Sequence, residues 1–344
     1  MSGVIGSARA SASRVYRDAA LRLPARMLNY VEHELAYGRT SDYALVRKLG
    51  RGRFGEVFEG LHAPSGRRVV VKVLKPLANV ARFKREVAVL QCICRVSGTS
   101  ELLDVVRESG TDTHALVFPY LETMSLRELY AELTLPSVRW FMWRLLRALD
   151  ATHALGVMHR DVKPNNVLVD PSRGEFTLID WGLADFYVPG HPNPVRIATR
   201  PFKAPELLLS MRYYDYSIDC WAAGCVAAGL MFRRFALFFQ KGDEKSKLDP
   251  LIRQARLLGT DELEAYMRKF DLRFTQEQLE GIRRRRKRVP WSRLVTDENR
   301  HLVCEEGLDL LDGLLRVDHT QRLTAREALQ HAFFEPIRRG EQVM

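Results

Sequence analysis

The chain has 344 residues, 46% of them apolar, and a formal net charge of +11. That length suits two packed lobes better than one core, and the ordinary apolar content argues against disorder. No apolar run approaches the roughly 18 residues that span a bilayer, and no hydrophobic segment accompanies the N-terminal arginines, so neither a membrane span nor a secretory signal is expected.

The Arg, Ser and Ala bias of the N-terminus leaves a transit peptide as the alternative. Five cysteines stand at 92, 94, 220, 225 and 304 with no C-x-x-C spacing. Free thiols in a reducing, intracellular compartment are the expectation. The positive charge asks for an acidic substrate or partner, and nucleic acid, anionic membrane and acidic protein segments all qualify.

In chain order, residues 1–42 read as an irregular N-terminal segment, with a helix-like stretch from Pro24 to Ala36. Short apolar strands come next at Tyr43–Leu49, Val57–Leu61 and Arg68–Leu74, parted by turn residues such as Pro64-Ser65-Gly66. A helix is expected over Arg82–Cys92, then strands at Leu102–Arg107 and His114–Pro119. This makes a small sheet domain over 43–120. After Ser125 the period is helical: Leu135–Leu155, Asp215–Leu230, Pro250–Leu258, Asp261–Lys269, Leu308–Leu315 and Ala325–His331. These helices form a second domain over 121–336, with a tail at 337–344. The fold class is α+β.

Several stretches carry chemistry. Leu49-Gly50-Arg51-Gly52-Arg53-Phe54-Gly55-Glu56-Val57 is a G-x-G-x-x-G-x-V run, in which glycines let backbone N–H groups approach phosphates. G-x-G-x-x-G also marks dinucleotide folds, but there a helix comes after it, whereas here a strand does. Val69-Val70-Val71-Lys72 puts a lysine on the next strand. Such a lysine can simply snorkel, yet Glu86 on the next helix offers it an ion-pair partner that would orient it toward a nucleotide. His159-Arg160-Asp161-Val162-Lys163-Pro164-Asn165-Asn166 matches H-R-D-x-x-x-x-N. Asp180-Trp181-Gly182 stands in the slot of D-F-G, and Ala204-Pro205-Glu206 in that of A-P-E. Asp219-Cys220-Trp221 with Gly224 and the later Arg322 fit a helix and an arginine that anchor the catalytic loop and Glu206. In this order the motifs identify a bilobal protein kinase fold, with a small mainly antiparallel β N-lobe carrying one helix and a larger mainly helical C-lobe.

The chain further resembles the catalytic subunits of casein kinase II, over residues 13 to 334. The resemblance rests on Tyr43–Gly52, Val57–Gly60, His159–Pro164, Ile179–Tyr187 with Trp181 in place of phenylalanine, Val195–Leu208 and Tyr214–Ser217. Ser13–Tyr16 and Tyr30 match as well. It implies transfer of the ATP γ-phosphoryl group to Ser/Thr in acidic sequence contexts, by a constitutively active enzyme of cytoplasm and nucleus. ATP would meet Leu49, Gly50, Arg51, Gly52, Arg53, Phe54, Gly55, Val57, Val70, Lys72, Phe118, Leu168 and Ile179. Mg²⁺ would be held by Asn166 and Asp180. Asp161, Lys163, Lys72 and Glu86 would carry the chemistry. Arg85, Lys163, Arg196, Arg200 and Lys203 would receive acidic substrate side chains, consistent with the absence of Asp and Glu between Phe186 and Pro205. Asn165 stands where base-preferring kinases carry glutamate.

The resemblance also implies an N-terminal segment packed on the activation segment, with Tyr30 and Asp185 in contact, in place of activating phosphorylation. A regulatory β-subunit dimer would dock on the outer sheet near Leu45 and Phe58, giving an α2β2 tetramer. Departures from the pattern are Leu77–Arg82 in place of a lysine cluster, which implies weaker selection of an acid three residues downstream, and Gly55 in place of serine. Glu122-Thr123 replaces two hinge asparagines, which bears on GTP use. The run Arg283–Arg288 reads either as a nuclear-import or nucleic-acid patch or as a solvated insertion. No membrane partner and no specific nucleic acid is expected. The competing readings are a catalytically inert scaffold, opposed by Lys72, Asp161, Asn166 and Asp180, and a proline-directed kinase, opposed by Arg196, Arg200 and Lys203.

Overall fold

β-Branched runs separated by tight turns build a five-stranded antiparallel sheet. In the computed structural model, which describes residues 12–32, 34–52, 55–75, 80–170, 173–239 and 249–340, its strands are β1 (Tyr43–Arg51), β2 (Gly55–His62), β3 (Arg67–Leu74), β4 (Asp104–Glu108) and β5 (Thr113–Pro119), in the order β1-β2-β3-β5-β4. Alternation along β3 sets the two faces. Val69 and Val71 pack with Val106, Ala115 and Val117 in a small core of their own. Val70 and Lys72 point the other way, into the cleft, as a period of two requires. The β4 edge is closed by the N-terminal segment, where Gly38 N–H donates to the Val105 carbonyl at 2.9 Å. A strand edge partly covered in this way is a poorer template for pairing with another chain.

Among the described residues of the N-terminal segment the α-helix is four residues long, α1 (Ala25–Leu28), with 3-10 turns at Ala20–Arg22 and Thr40–Asp42, against the longer stretch expected over Pro24–Ala36. The chain leaves the helix at Asn29 because its next residues are drawn onto α2 (Val80–Cys92). There Lys84 Nζ donates to the Val31 carbonyl at 2.9 Å. Helix α2 turns Phe83, Glu86, Val87 and Leu90 inward.

The C-lobe opens with α3 (Leu126–Ala131) and α4 (Leu135–Ala154). Two strand pairs come after them, β6 (Val157–Met158) with β9 (Asp185–Phe186) and β7 (Val167–Asp170) with β8 (Glu175–Leu178). Next come α5 (Pro205–Leu208), α6 (Ser217–Met231), α7 (Pro250–Leu258), α8 (Asp261–Phe270), α9 (Gln276–Ile282), α10 (Glu305–Leu314), α11 (Ala325–Leu329) and α12 (Glu335–Arg338). Every residue of α6 from Ile218 onward is buried, as befits a helix apolar on all sides. It is the axle of the lobe. Gly224 makes this possible, since a Cβ there would stand 2.9 Å from Leu314 Cβ and Leu315 Cδ2. Among the described residues no helix is long and apolar enough to cross a membrane. The basic run Arg283–Arg288 lies as coil beside α8. Arg285 is bound by Asp261 at 2.8 Å, and Arg288 pairs with Glu262 and Asp312.

One ion pair fixes Glu206, in α5, to the rest of the lobe. Arg322 Nη1 and Nη2 donate to Glu206 Oε1 and Oε2 at 2.6 and 3.0 Å, and both side chains are fully buried. Arg322 also donates to the Ser217, Val317 and Arg316 carbonyls. Removing the arginine strands a buried carboxylate. Arg322→Leu should therefore cost about 3–5 kcal/mol of stability, the scale of a broken buried pair. Urea unfolding of the variant against wild type reads this, and a loss below about 1 kcal/mol, the worth of an exposed pair, would mean that the pair holds nothing.

Candidate active site

The two lobes meet at a cavity of about 280 Å³. Gly52, Gly55, Val57, Val70 and Lys72 line it from β1–β3, Phe118 from β5, and Asn166, Leu168, Ile179 and Asp180 from below. Of the residues expected to meet nucleotide, Leu49, Gly50 and Arg51 do not line it. Leu49 and Arg51 are exposed on β1, and Gly50 has open space where a Cβ would go. Arg53 and Phe54 lie outside the described residues. Gly55 is required by the sheet itself, because a Cβ there would meet the Val73 carbonyl at 2.3 Å. The cavity also takes in Leu90, Ser100, Glu101, Pro119, Leu121 and Thr177. For two of these the sequence holds a signal: Leu90 is one helical turn past Glu86, and Thr177 is one strand period before Ile179.

Lys72 Nζ donates to Glu86 Oε1 at 2.7 Å and Asp180 Oδ1 at 3.0 Å. Burial works against its charge, but the Glu86 and Asp180 carboxylates prevail and hold Lys72 above its ordinary pKa. Burial raises the Asp180 carboxyl, and Lys72 overcomes it, leaving Asp180 below the usual range. Asp180 sits at φ 62°, a left-handed conformation that costs a non-glycine residue energy and persists where its surroundings enforce it. Enforcement comes from Trp181, 1% exposed. Its Nε1 donates to the Leu178 carbonyl at 3.2 Å, and its ring meets His159 edge to face at 4.5 Å.

Below the cavity Asp161 is buried and fully engaged. Its Oδ1 accepts from Thr199 N–H and Oγ1 at 2.8 and 2.7 Å, and its Oδ2 from Lys163 Nζ at 2.6 Å. Lys163 also reaches Thr199 Oγ1 at 2.9 Å. Asn166 Nδ2 donates to the Asp161 carbonyl and Oδ2 at 2.9 and 3.3 Å. That leaves the Asn166 amide oxygen as an acceptor on the cavity wall it shares with Asp180. A carboxylate and an amide oxygen on one wall of the cavity suit a hard divalent cation, which completes its shell with water and phosphate oxygens.

The loop carrying Asp161 hangs from α6. Asp219 Oδ2 and Oδ1 accept the backbone N–H groups of His159 and Arg160, both at 2.8 Å, and His153 Nε2 lies 3.1 Å from Oδ2. Burial raises the Asp219 carboxyl, but these hydrogen bonds and the nearby imidazoles hold it below the ordinary range. Arg160 in turn donates to the Leu183 carbonyl and pairs with Asp185 at 3.0 Å.

The expected substrate cations divide. Arg196 and Arg200 are exposed. Lys203 is half-buried, and burial together with neighbouring Arg200 lowers its pKa. Arg85 stands in an ion pair with Asp185 at 3.3 Å, and the phenol of Tyr30 faces the same pair. The segment before α1 grips the C-lobe. Ser13 N–H donates to Tyr187 Oη at 2.9 Å, Tyr16 Oη to Asp150 at 2.7 Å, and Arg14 to Glu327 at 2.8 Å.

A family model described as protein kinase domain matches residues 43–334. The chain therefore belongs to the protein kinase family and is a phosphotransferase that uses ATP.

The Asp219 carboxyl generates a pH prediction. Its folded pKa is depressed, so its contribution is present above the unfolded value of about 3.9 and is lost as pH falls through the folded value. Asp219→Asn should be markedly less stable than wild type at neutral pH, and the gap should narrow as pH falls below about 4. Thermal melts across pH read this; a gap of constant size would contradict it.

Proposed function

We propose that this kinase transfers the ATP γ-phosphoryl group to serine and threonine in acidic sequence contexts, as an enzyme of the casein kinase II catalytic type. The observation that carries the reading is the juxtaposition of Asp161, Lys163 and Thr199 with a cationic stretch on the same segment. The stretch holds Arg196, Arg200 and Lys203, and no acid lies between Phe186 and Pro205. A carboxylate at the target position and cations beside it would hold a hydroxyl that is followed by acids.

In this reading Lys72, held by Glu86, meets the nucleotide phosphates, and the apolar walls Val57, Val70, Phe118, Leu168 and Ile179 take the base. Mg²⁺ would be held by Asn166 and Asp180, where it would neutralise charge on the phosphates. Asp161 orients the substrate hydroxyl and accepts its proton, while Lys163 faces the developing charge. Positioning and electrostatics supply the rate.

Constitutive activity belongs to the same proposal. In many kinases a phosphate orders the activation segment by pairing with arginines. Here the Asp185 carboxylate already joins Arg85 and Arg160, and the N-terminal segment clasps Tyr187 and the C-lobe. A regulatory β-type subunit is proposed for the outer sheet, where Leu45 is exposed and Phe58 half-buried.

Paired peptides test the specificity. One carries acids after the serine, the other proline or lysines. Wild type should label the acidic peptide, and Asp161→Asn should lower kcat by at least about a thousandfold, the scale of a lost positioned base with its electrostatics. Labelling of the proline or basic peptide alone would overturn the acid-directed reading. Replacing Arg196, Arg200 and Lys203 together by alanine should raise KM for the acidic peptide about tenfold or more while leaving kcat nearly unchanged, the signature of lost uniform binding. Deleting residues 1–34 should lower kcat; an unaltered kcat would count against the clasp.

A further inference from the structure

The loop after α6 carries an aromatic ring that stays largely exposed and that the reaction described above does not use. Phe235 is 53% exposed, the only exposed phenylalanine among the described residues. Its neighbours in the loop are anchored inward. Phe238 stacks on Trp221 at 5.7 Å, and Arg253 sits over the Phe239 ring at 4.8 Å.

The backbone that presents Phe235 is built rather than slack. Arg233 takes φ 51°, and Arg234 N–H donates to the Gly229 carbonyl at 2.8 Å. The Arg234 carbonyl passes over Gly229 so closely that a Cβ there would meet it at 2.7 Å. The ring is thereby set edge to face against Phe202, with centroids 6.1 Å apart. Phe202 closes the 3-10 turn Arg200–Phe202 next to Thr199, so Phe235 stands on the segment that bears the cations. Gln254 of α7 fixes the Lys203 carbonyl of that segment at 2.8 Å. Arg234 beside the ring is exposed, and no acid occurs from Gly229 to Phe239.

We infer that Phe235 is a specificity-determining residue that receives an apolar side chain of an acidic substrate peptide. This inference rests on the acid-directed reading above and narrows it. The favoured substrate carries an aromatic or leucine residue near the target as well as acids, because an exposed ring next to Arg234 and packed on the cation-bearing segment complements apolar and anionic groups together. An apolar side chain covering such a ring gains affinity without entering the chemistry, so the effect belongs in KM.

The experiment is a peptide panel crossing two factors: flanks of acidic or neutral residues, and phenylalanine or alanine scanned through each position on both sides of the target serine. Wild type should show, at one flanking position, roughly a five- to tenfold higher kcat/KM for phenylalanine than for alanine, the scale of one side chain in an apolar site. Phe235→Ala should bring that ratio close to one, and Phe235→Leu should keep most of it. A ratio near one at every position in wild type, or a preference that survives Phe235→Ala, would overturn the inference. Failure of the acid-directed reading shows separately, as equal labelling of acidic and neutral flanks, because the ratio at Phe235 is measured within each set.

Discussion

A buried carboxylate has to be satisfied, and the satisfaction of Asp219 sets the geometry of everything around it. Its oxygens take the N–H groups of His159 and Arg160 and face His153. An ion at that depth is tolerable only when its lone pairs are filled. The loop therefore cannot slide along α6 without stranding a charge. Fixing His159 and Arg160 fixes their neighbours too: Asp161, Lys163 and Asn166 on one side, and through the Arg160 side chain Asp185 on the other.

From Asp185 the constraint crosses to the small lobe. Arg85 of α2 pairs with it, and the next residue, Glu86, holds Lys72. Asp180 closes the circuit by accepting from the same lysine. Charges on both lobes thus share one network around the cavity. Each group in it is already oriented before substrate arrives, which is the condition under which electrostatic catalysis costs no reorganisation. Trp181 adds a lock, since its ring is buried and its indole N–H spent on Leu178, so Asp180 has little freedom to turn away.

Much of this is legible in the sequence. The five strands of the N-lobe sheet and the long helices fall where the periodicity puts them, with ends differing by a few residues, while the short pairs β6–β9 and β7–β8 go unpredicted. Gly52, Gly55, Lys72, Asn166 and Asp180 of the motifs line one cavity. Helices α3 and α9 go unpredicted despite the capping boxes Ser125/Glu128 and Thr275/Gln278, because each is too short to show a face. The N-terminal helix stops at Leu28 because contacts with α2 outweigh local propensity. The motif around Asp219 predicts an anchor for the loop, but His153, its third partner, has no motif and is brought there only by the packing of α4 on α6. Arg85 is matched to the substrate cations in the sequence, and its ion pair with Asp185 is a property of the fold that residue order does not show. The role of Phe235 is equally hidden, since exposure and the approach to Phe202 are properties of the folded loop.

If the network preassembles the site, the chain needs no activating modification. The direct measurement is a progress curve for transfer from labelled ATP to an acidic peptide, using protein shown by mass spectrometry to carry no phosphate. The account predicts full velocity from the first turnover and no gain after prior incubation with ATP. A lag, or a rate that rises as the activation segment becomes phosphorylated, would contradict it.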